Sequence, residues 1–499
     1  MKTTLVSVLW TLVTAVTFSA CSSEKESYLS SLPADSSVAL KLNLVQMTQK
    51  SNILNNPMAG ILMMQLDSNV PEGLKAKYEE IKKDPGSAGI DLQQPLALSV
   101  GMKDLNNPQV VAVAALSDGA KFDELMQAIA ASDQSVTIEK LAGGAQRINI
   151  QGNKEAELVY NDNRIVIASA GMDAAKLIAQ TAAQSILGNP NFKDFAETRN
   201  DYSMFCDYAW LAEAVGKQQG NANLDMPALE WMKNTSVYFT VNFEQGKIVA
   251  DSKIYAGDEL TAFQQKFYVQ PTGKFLGLLP ADTWLAVNGG AKNMGEVFSL
   301  MGEKERKQIQ QALQQYGLTE ELFNSIEGDM TLGVFDEGNP QGIPGFVFAA
   351  ACKDRNLFDA LCKLAGTPAQ GDVVNIMGYC MAYTDGALIA TTQSIYDQCL
   401  KDGQLKDLPR SLKDTALKGT LLKGGLTVDF QAIAANPFLN GLKQNREVNT
   451  ALGILKQLGI LTASYENLQQ GSAELTFKDA DKNALEQLVS MGMSVAMGL

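Results

Sequence analysis

A chain of 499 residues, 46% of them hydrophobic and 19% charged, carries enough apolar material for more than one packed core. Its 41 basic and 55 acidic side chains leave a formal charge of −14, a surface that repels nucleic acid and anionic membrane faces and keeps a protein in solution. Histidine is absent, which removes the Ser-His-Asp and Cys-His constellations, the HExxH zinc site and every imidazole metal ligand at once. Any catalysis would rest on carboxylates, lysine, tyrosine or a bound hard cation.

Residues 1–20, "MKTTLVSVLWTLVTAVTFSA", read as a secretory signal: Lys2, an apolar run from Leu5 to Val16 too short to span a bilayer comfortably, then small residues. Phe18, Ser19, Ala20 and Cys21 resemble a bacterial lipobox, in which the cysteine becomes the lipidated first residue of the mature chain; the alternative is an ordinary signal with an incidental cysteine. Each buried acyl methylene contributes about 0.8 kcal/mol, so a multiply acylated Cys21 would hold the protein on a membrane. Loss of residues 1–20 removes Lys2 and no acid, which takes the charge from −14 to −15. Residues 21–27 then form a polar tether. Its "SSEKES" resembles the acidic stretch associated, in lipoproteins of the Bacteroidota, with export to the outer leaflet of the outer membrane, and reads equally as a solvated spacer. No later stretch reaches about eighteen apolar residues, so no second anchor is expected.

Beyond the tether the chain repeats itself. Leu32 to Asp35 in "SLPADSSVALKLNL" match Leu279 to Asp282 in "LLPADTWLAVNGGA", 247 residues on. "NPQVVAVAALSDGAKFDELMQAIA" from Asn107 answers "NPQGIPGFVFAAACKDRNLFDALCKLA" from Asn339, each with Phe-Asp-x-Leu, at Phe122 and Phe358. "ELVYNDNRIVIAS" around Tyr160 parallels "CMAYTDGALIATT" around Tyr383. "MFCDYAWLAEA" at Asp207 parallels "LTVDFQAIAAN" at Asp429, and "VNFEQGKIVADSKI" at Asn242 parallels "YENLQQGSAELTF" at Asn467. Five echoes in unbroken order, at offsets drifting only from 222 to 247, are what loop insertions in a duplicated unit produce.

The expected organisation is therefore α+β: two tandem, internally duplicated units, 28–269 and 277–499, joined by a linker at 270–276. Each opens with the Leu-Pro-Ala-Asp turn and an alternating strand ("VALKL", "WLAVNGG"), followed by a helical region. In the first unit that region includes "PEGLKAKYEEIKKDP", with Glu79 and Lys83 four apart and Pro85 closing the element; its counterpart is "EKERKQIQQALQQYGLTEELFNSI". Two strands, "PLALSVG" and "QVVAVAALS", lead to the helix "GAKFDELMQAIAAS" and then to a hairpin. Its turn, Asp162-Asn163 in one unit and Asp385-Gly386 in the other, suits positive φ. A final strand pair turning at Gly246 or Gly471 and a closing helix, "NALEQLVSMGMSVAM", complete the unit. Short connections make neighbouring strands antiparallel, with helices packed on the sheet.

Acids at matching places, Asp35 and Asp282, Asp123 and Asp359, Asp162 and Asp385, Asp207 and Asp429, invite a reading as paired carboxylates or a calcium site. Each also suits a plain role, as turn, first helical turn, hairpin turn and helix N-cap respectively. Cys206, Cys352, Cys362, Cys380 and Cys399 lie in apolar contexts and read as buried small hydrophobes, with a disulfide such as Cys352 to Cys380 as the alternative in an oxidising compartment. Gly143 and Gly144 form a loop without a phosphate-binding signature, "YNDNR" lacks the ligand spacing of a calcium loop, and no SxxK has the partner motifs of acyl transfer. Trp231 and Trp284 suit either a ligand groove or the core. Asp414 to Ala416, "DTA", resembles a short O-glycosylation signal of the Bacteroidota. No catalytic, cofactor-binding or metal-ligating residue is assigned, no cofactor is expected, and the one modified residue assigned is Cys21.

The lipobox, the two Leu-Pro-Ala-Asp turns, the Asp-Tyr or Asp-Phe helix start and the duplicated layout together resemble a family of Bacteroidota cell-envelope lipoproteins classed as domains of unknown function. The resemblance covers nearly the whole mature chain, and its motifs are structural. It implies an envelope protein lipid-anchored to the outer membrane and brings no catalytic residues. The favoured expectation is a non-enzymatic protein that uses the surface between its two units to bind a partner protein, peptide or glycan. The alternative is a histidine-free hydrolase of envelope glycans or peptides, which requires two buried acids roughly 5 to 10 Å apart on one pocket.

Overall fold

The computed structural model describes residues 26–496 except 56–59, 61–63, 65–66, 69, 103–105, 210–233, 339–341, 367–370, 377 and 442–445. The chain enters its first strand through a turn that the sequence builds twice. After Pro33, the Ser36 amide and hydroxyl donate to the Pro33 carbonyl at 3.2 and 2.7 Å; after Pro280, the Thr283 amide and hydroxyl donate to the Pro280 carbonyl at 3.1 and 2.7 Å. Pro33 bridges to Ser185 and Pro280 to Ser411, so each turn is also tied to a distant segment of its own unit. The leucine before each proline, Leu32 or Leu279, is fully buried.

Two compact units follow, and both are α+β with antiparallel sheets. The first contains β1 (Val38–Leu42), β2 (Leu96–Gly101), β3 (Gln109–Ala115), β4 (Val136–Lys140), β5 (Gln146–Ile150), β6 (Ala156–Tyr160), β7 (Arg164–Ser169), β8 (Tyr202–Asp207) and β9 (Ser236–Glu244). Its strands lie in the order β4-β5-β6-β7-β3-β2-β1-β8-β9. The second contains β10 (Lys247–Tyr255), β11 (Leu285–Ala291), β12 (Ile326–Asp336), β13 (Pro344–Cys352), β14 (Val373–Ile376), β15 (Tyr379–Thr384), β16 (Ala387–Thr392), β17 (Gly425–Asp429), β18 (Leu458–Glu466) and β19 (Gln470–Phe477). Its order is β14-β15-β16-β13-β12-β11-β17-β18-β19-β10.

The duplication is visible in the registers. Leu40 pairs with Leu98 on one side and Met204 on the other; Val287, 247 residues further on, pairs with Leu332 and Leu426. From β5 to β9 and from β14 to β18 the two orders are the same, while β4 has no counterpart among the described residues. The pairing of β10 with β19 carries the repeat in another way. Gly246 and Gly471 are 225 apart in the aligned phrases, and at that offset the pair Lys247 with Thr476 maps onto the pair Asp251 with Ser472, while Val249 faces its own counterpart, Glu474.

Helices cover the sheets. In the first unit the helix Gly119–Ser132, N-capped by Asp118 whose carboxylate accepts the Lys121 amide at 3.1 Å, buries Phe122, Leu125, Met126 and Ile129 against Val136, Ile148, Leu158, Tyr160 and Ile165. Gly119 is required there: a Cβ would lie 2.4 Å from the Cα of Asp162, where the hairpin turn abuts the helix start. In the second unit the helix Asn356–Leu364 buries Leu357, Phe358 and Cys362 against Ile326, Val374, Met381 and Leu388. The aromatic members of two echoing phrases thus meet in both units. Phe122 and Tyr160 pack edge to face with centroids 5.0 Å apart, and Phe358 and Tyr383 lie at 6.1 Å.

Several expectations need adjustment. Residues 270–276 are clamped within the second unit: the Asp329 carboxylate, nearly buried, accepts the amides of Thr272 and Lys274 and the Thr272 hydroxyl at 2.8 to 3.1 Å. Phe275 and Leu276 are core residues there, at the places that Tyr28 and Leu29 hold in the first unit. The units do not divide at 270–276 either, since β10 and the helix Asp258–Phe267 belong to the second and the closing helix Ala484–Ala496 to the first. That helix is held by Ala484, fully buried, by Asn483 donating to the Phe243 carbonyl at 2.9 Å, and by packing on the helix Leu44–Ser51.

The turns differ as well. Asp385 and Gly386 take φ of 48° and 67°, as a tight hairpin needs, whereas Asp162 and Asn163 stay out of that region. The Asn161 side chain organises the first turn instead, accepting the amides of Asn163 and Arg164 at 2.9 and 3.1 Å. Gly246 turns at φ 68° as expected, but the second copy turns at Asn467 and Leu468, with Gly471 inside β19. Glu79 pairs with Lys82 at 3.5 Å rather than with Lys83, and Pro85 opens a 3₁₀ turn that ends the helix.

Replacing Asp329 by Ala removes the acceptor of two amides and a hydroxyl on Thr272 and Lys274, residues that are themselves exposed, a loss of about 0.5–1.5 kcal/mol per hydrogen bond. We expect Asp329→Ala to lower the midpoint of urea unfolding and to make the bond after Lys274 newly sensitive to trypsin; an unchanged digestion pattern would refute the clamp.

Candidate functional site

The repeated aspartates are occupied by local structure. Asp429 caps the helix Phe430–Ala435 by accepting the Ala432 amide at 2.9 Å, and Asp207 accepts the Ala209 amide at 3.0 Å. Burial pushes the Asp207 carboxyl up, with that amide opposing the shift. Their own amides donate to Trp284 and Ser37 carbonyls, both at 2.8 Å, which are equivalent places at the start of β11 and β1. Asp35 and Asp282 sit in the two opening turns, and Asp162 in the hairpin turn. Asp385 accepts the Leu405 amide at 2.8 Å, and its carbonyl takes the Lys274 ammonium at 2.9 Å.

Asp123 and Asp359 are where the copies diverge. Asp123 accepts the Tyr160 hydroxyl at 2.6 Å and the Gln146 amide at 2.7 Å, which seals that end of the first unit's core. Asp359 is instead held by the Arg355 guanidinium at 3.1 and 3.3 Å, and Arg355 also binds Asp372 at 2.6 Å while lying over the rings of Phe358 and Tyr383. With the matching carboxylate drawn away, the Tyr383 hydroxyl makes no hydrogen bond to protein among the described residues.

Tyr383 borders a half-open depression of about 260 Å³ at the sheet edge formed by β14 and β15. Tyr396, on the helix Gln393–Cys399, stands on its other side, and its hydroxyl is likewise unclaimed among the described residues. Val373, Ala382 and Leu400 give an apolar lining, while Asp372, Asp385 and Lys401 supply charge at the rim. Burial pushes both phenols up from their ordinary value near 10, so each keeps its proton at neutral pH. Among the described residues no cluster of His, Cys, Asp and Glu could hold a metal ion.

None of the remaining sequence candidates lines this depression. All five cysteines described are free and buried, and burial pushes their thiols up, Cys206 and Cys399 to about 11. Trp284 is half-buried at the start of β11. Asp414 closes a capping box on Ser411, and the Thr415 hydroxyl donates to the Leu412 carbonyl at 2.9 Å. Gly143 lies in a loop turn at φ 83°. Cys21 and Trp231 lie outside the described residues.

One buried polar pair escaped the sequence reading. Lys41, only 3% exposed in the middle of β1, donates to the carbonyls of Ala196 and Thr198 at 3.1 and 2.7 Å, beside the C-terminus of the helix Lys193–Glu197. Asn288 holds the same place in β11 and donates to Leu421 at 2.9 Å, at the end of the helix Lys418–Leu422. The signal was a lone polar residue at matching positions of two apolar strands. Its role is to satisfy helix-end carbonyls, where a positive charge or an amide donor is favoured.

Loss of the Tyr160 hydroxyl removes a buried bond, so Tyr160→Phe should destabilise by about 1 kcal/mol, while Tyr383→Phe should stay within about 0.5 kcal/mol of the parent. Denaturant unfolding of the two variants checks this, and equal losses would refute the divergence. Burial and Asp123 raise the Tyr160 phenol above its unfolded value near 10, so its contribution is complete below that pH and is lost as pH climbs above it. Tyr160→Phe should therefore unfold less steeply with alkali than the parent. The five buried thiols should resist alkylation in the native protein and react fully in concentrated guanidinium.

No curated protein matches the chain. Three solved structures, described as crystal forms III, IV and I of TP0453, share 9%, 10% and 9% identity over 50%, 45% and 48% of this chain and 90%, 79% and 81% of theirs. Their TM-scores of 0.26, 0.26 and 0.25 are too low to bear on fold or function. A family profile, by contrast, runs from the residue that opens the first core to the start of the closing helix, matching residues 28–485, and on that match the chain belongs to the family described as Domain of unknown function (DUF4836).

Proposed function

We propose that the protein is a non-enzymatic lipoprotein of the cell envelope, anchored to the outer membrane through Cys21, that binds a partner protein, peptide or glycan. The observation that carries the binding half is the depression beside Tyr383 and Tyr396, where two phenols are left unclaimed while the repeated aspartates are engaged in caps, turns and ion pairs. The anchoring half is supported by Phe18 to Cys21 and by a fold whose first turn, Glu26–Ser31, begins within the last two residues of the expected tether. Among the described residues no helix is long and apolar enough to cross a membrane, so acyl chains on Cys21 would supply the attachment. A charge of −14 over the whole chain favours partners other than nucleic acid.

One observation favours the hydrolase as a second reading: Asp372 and Asp385 border the same depression. Asp372 is bound by Arg355 and Asp385 by the Leu405 amide, which leaves neither free to move between roles as an acid and base pair must. Asp372→Asn and Asp385→Asn decide between the readings, since a hydrolase would lose turnover of envelope glycans or peptides in both.

Metabolic labelling with palmitate should mark the parent protein and not Cys21→Ser, which should also leave the membrane fraction. An unlabelled parent would end the lipoprotein reading. A pull-down from native envelopes with the lipidated protein should retain a partner that Tyr396→Ala loses.

A further inference from the structure

The two copies of the repeat differ at one place in a way that stability does not require. In the first unit the Tyr160 hydroxyl is spent on Asp123 and the ring is buried; in the second, Arg355 holds the matching Asp359 and a depression opens between Tyr383 and Tyr396. What could occupy it is limited by its chemistry. Two carboxylates, Asp372 and Asp385, line it against the one ammonium of Lys401, and Arg355 behind them is shared between Asp372 and Asp359, so the field does not select an anion. Its volume, about 260 Å³, lies at or below the lower end for small-molecule sites, which suits a single ring rather than an extended chain. The accessible apolar lining is Val373 and the two tyrosine rings, with Ala382 and Leu400 nearly buried beneath, and the rim offers two phenolic donors and carboxylate lone pairs. The matching ligand has an apolar C–H face and a girdle of hydroxyls.

The geometry points to a monosaccharide site: the depression bordered by Tyr383 and Tyr396 takes one neutral pyranose ring, the phenols and carboxylates bonding its hydroxyls and the apolar lining meeting its C–H face. This rests on the reading of the depression as a binding surface and narrows the ligand to one class. Aromatic rings with unclaimed hydroxyls serve such a ligand doubly, by contact and by hydrogen bond. Lys401, whose nearest carboxylate is Asp397 at 3.8 Å, has donor capacity left for a ring hydroxyl.

The test is ligand-observed saturation-transfer NMR on the full-length protein with a panel of neutral methyl pyranosides, with N-acetylglucosamine, and with methyl phosphate as the charged control. Transfer is expected to at least one pyranoside, weaker by about tenfold or more in Tyr396→Ala and measurably weaker in Tyr383→Phe, with none to methyl phosphate. Tyr396 also packs in the core, so Tyr396→Phe, which removes only the hydroxyl, and thermal melts of each variant separate lost binding from lost folding. Transfer that persists unchanged in both Tyr396 variants would place the sugar elsewhere and overturn the inference. Absence of transfer from the whole panel, with envelope partner capture still lost in Tyr396→Ala, would overturn the pyranose and leave the binding surface standing; loss of neither would overturn both.

Discussion

The strand that follows each Leu-Pro-Ala-Asp turn is a central strand, hydrogen-bonded on both edges, and the rest of each sheet takes its register from it. β1 lies between β2 and β8, and β11 between β12 and β17. A slip of one residue in such a strand would turn its buried side chains to the opposite face of the sheet and break two ladders together. The position of the first residue is therefore the constraint to satisfy, and the Leu-Pro-Ala-Asp turn satisfies it: proline limits the residue before it to extended geometry, a hydroxyl three residues later closes on the proline carbonyl, and a bridge to Ser185 or Ser411 fixes the turn from outside. The buried donor in the same strand, Lys41 or Asn288, then attaches a helix end to it.

How much of this was legible follows from where the information resides. Echoes in order were enough to find the duplication, since each is local in sequence, and the registers reproduce the same spacing at Leu40 and Val287. Caps and turns were legible at Asp207 and Asp429 because they satisfy groups a few residues away. What was not legible depends on partners far along the chain. Alternation in "KIVADSKIY" marks a strand without saying that it pairs with β19, and nothing in "ALEQLVSMGMSVA" says that the helix packs on the first unit. Asp329 was invisible for the same reason, lying 55 residues from the Lys274 amide that it holds.

The site was the least legible part, because it is defined by a difference between copies. The sequence reading weighs the acids that the two copies share, finds plain structural roles for them and assigns no site, because shared residues are those a fold must keep. Asp123 and Asp359 occupy matching places, yet Arg355 redirects one of them, and the consequence is an unclaimed hydroxyl on Tyr383. In a duplicated protein one copy can keep the packing while the other loses a stabilising bond, and the bond lost is worth only about 1 kcal/mol. That is within the range that marginally stable domains tolerate.

The self-referring register of β10 and β19 has a last consequence, for the side chains such a strand pair is allowed to carry. Where identical strands from identical chains meet antiparallel about a two-fold axis, the residue on the axis faces its own twin, and a carboxylate there would oppose a carboxylate. Here the axial position is held by Val249 on one strand and Glu474 on the other, with the Lys247 ammonium 2.8 Å from Glu474. Carried on one polypeptide, the two sides of the axis mutate independently, and a seam that symmetry would have kept neutral can hold an ion pair that points one way only.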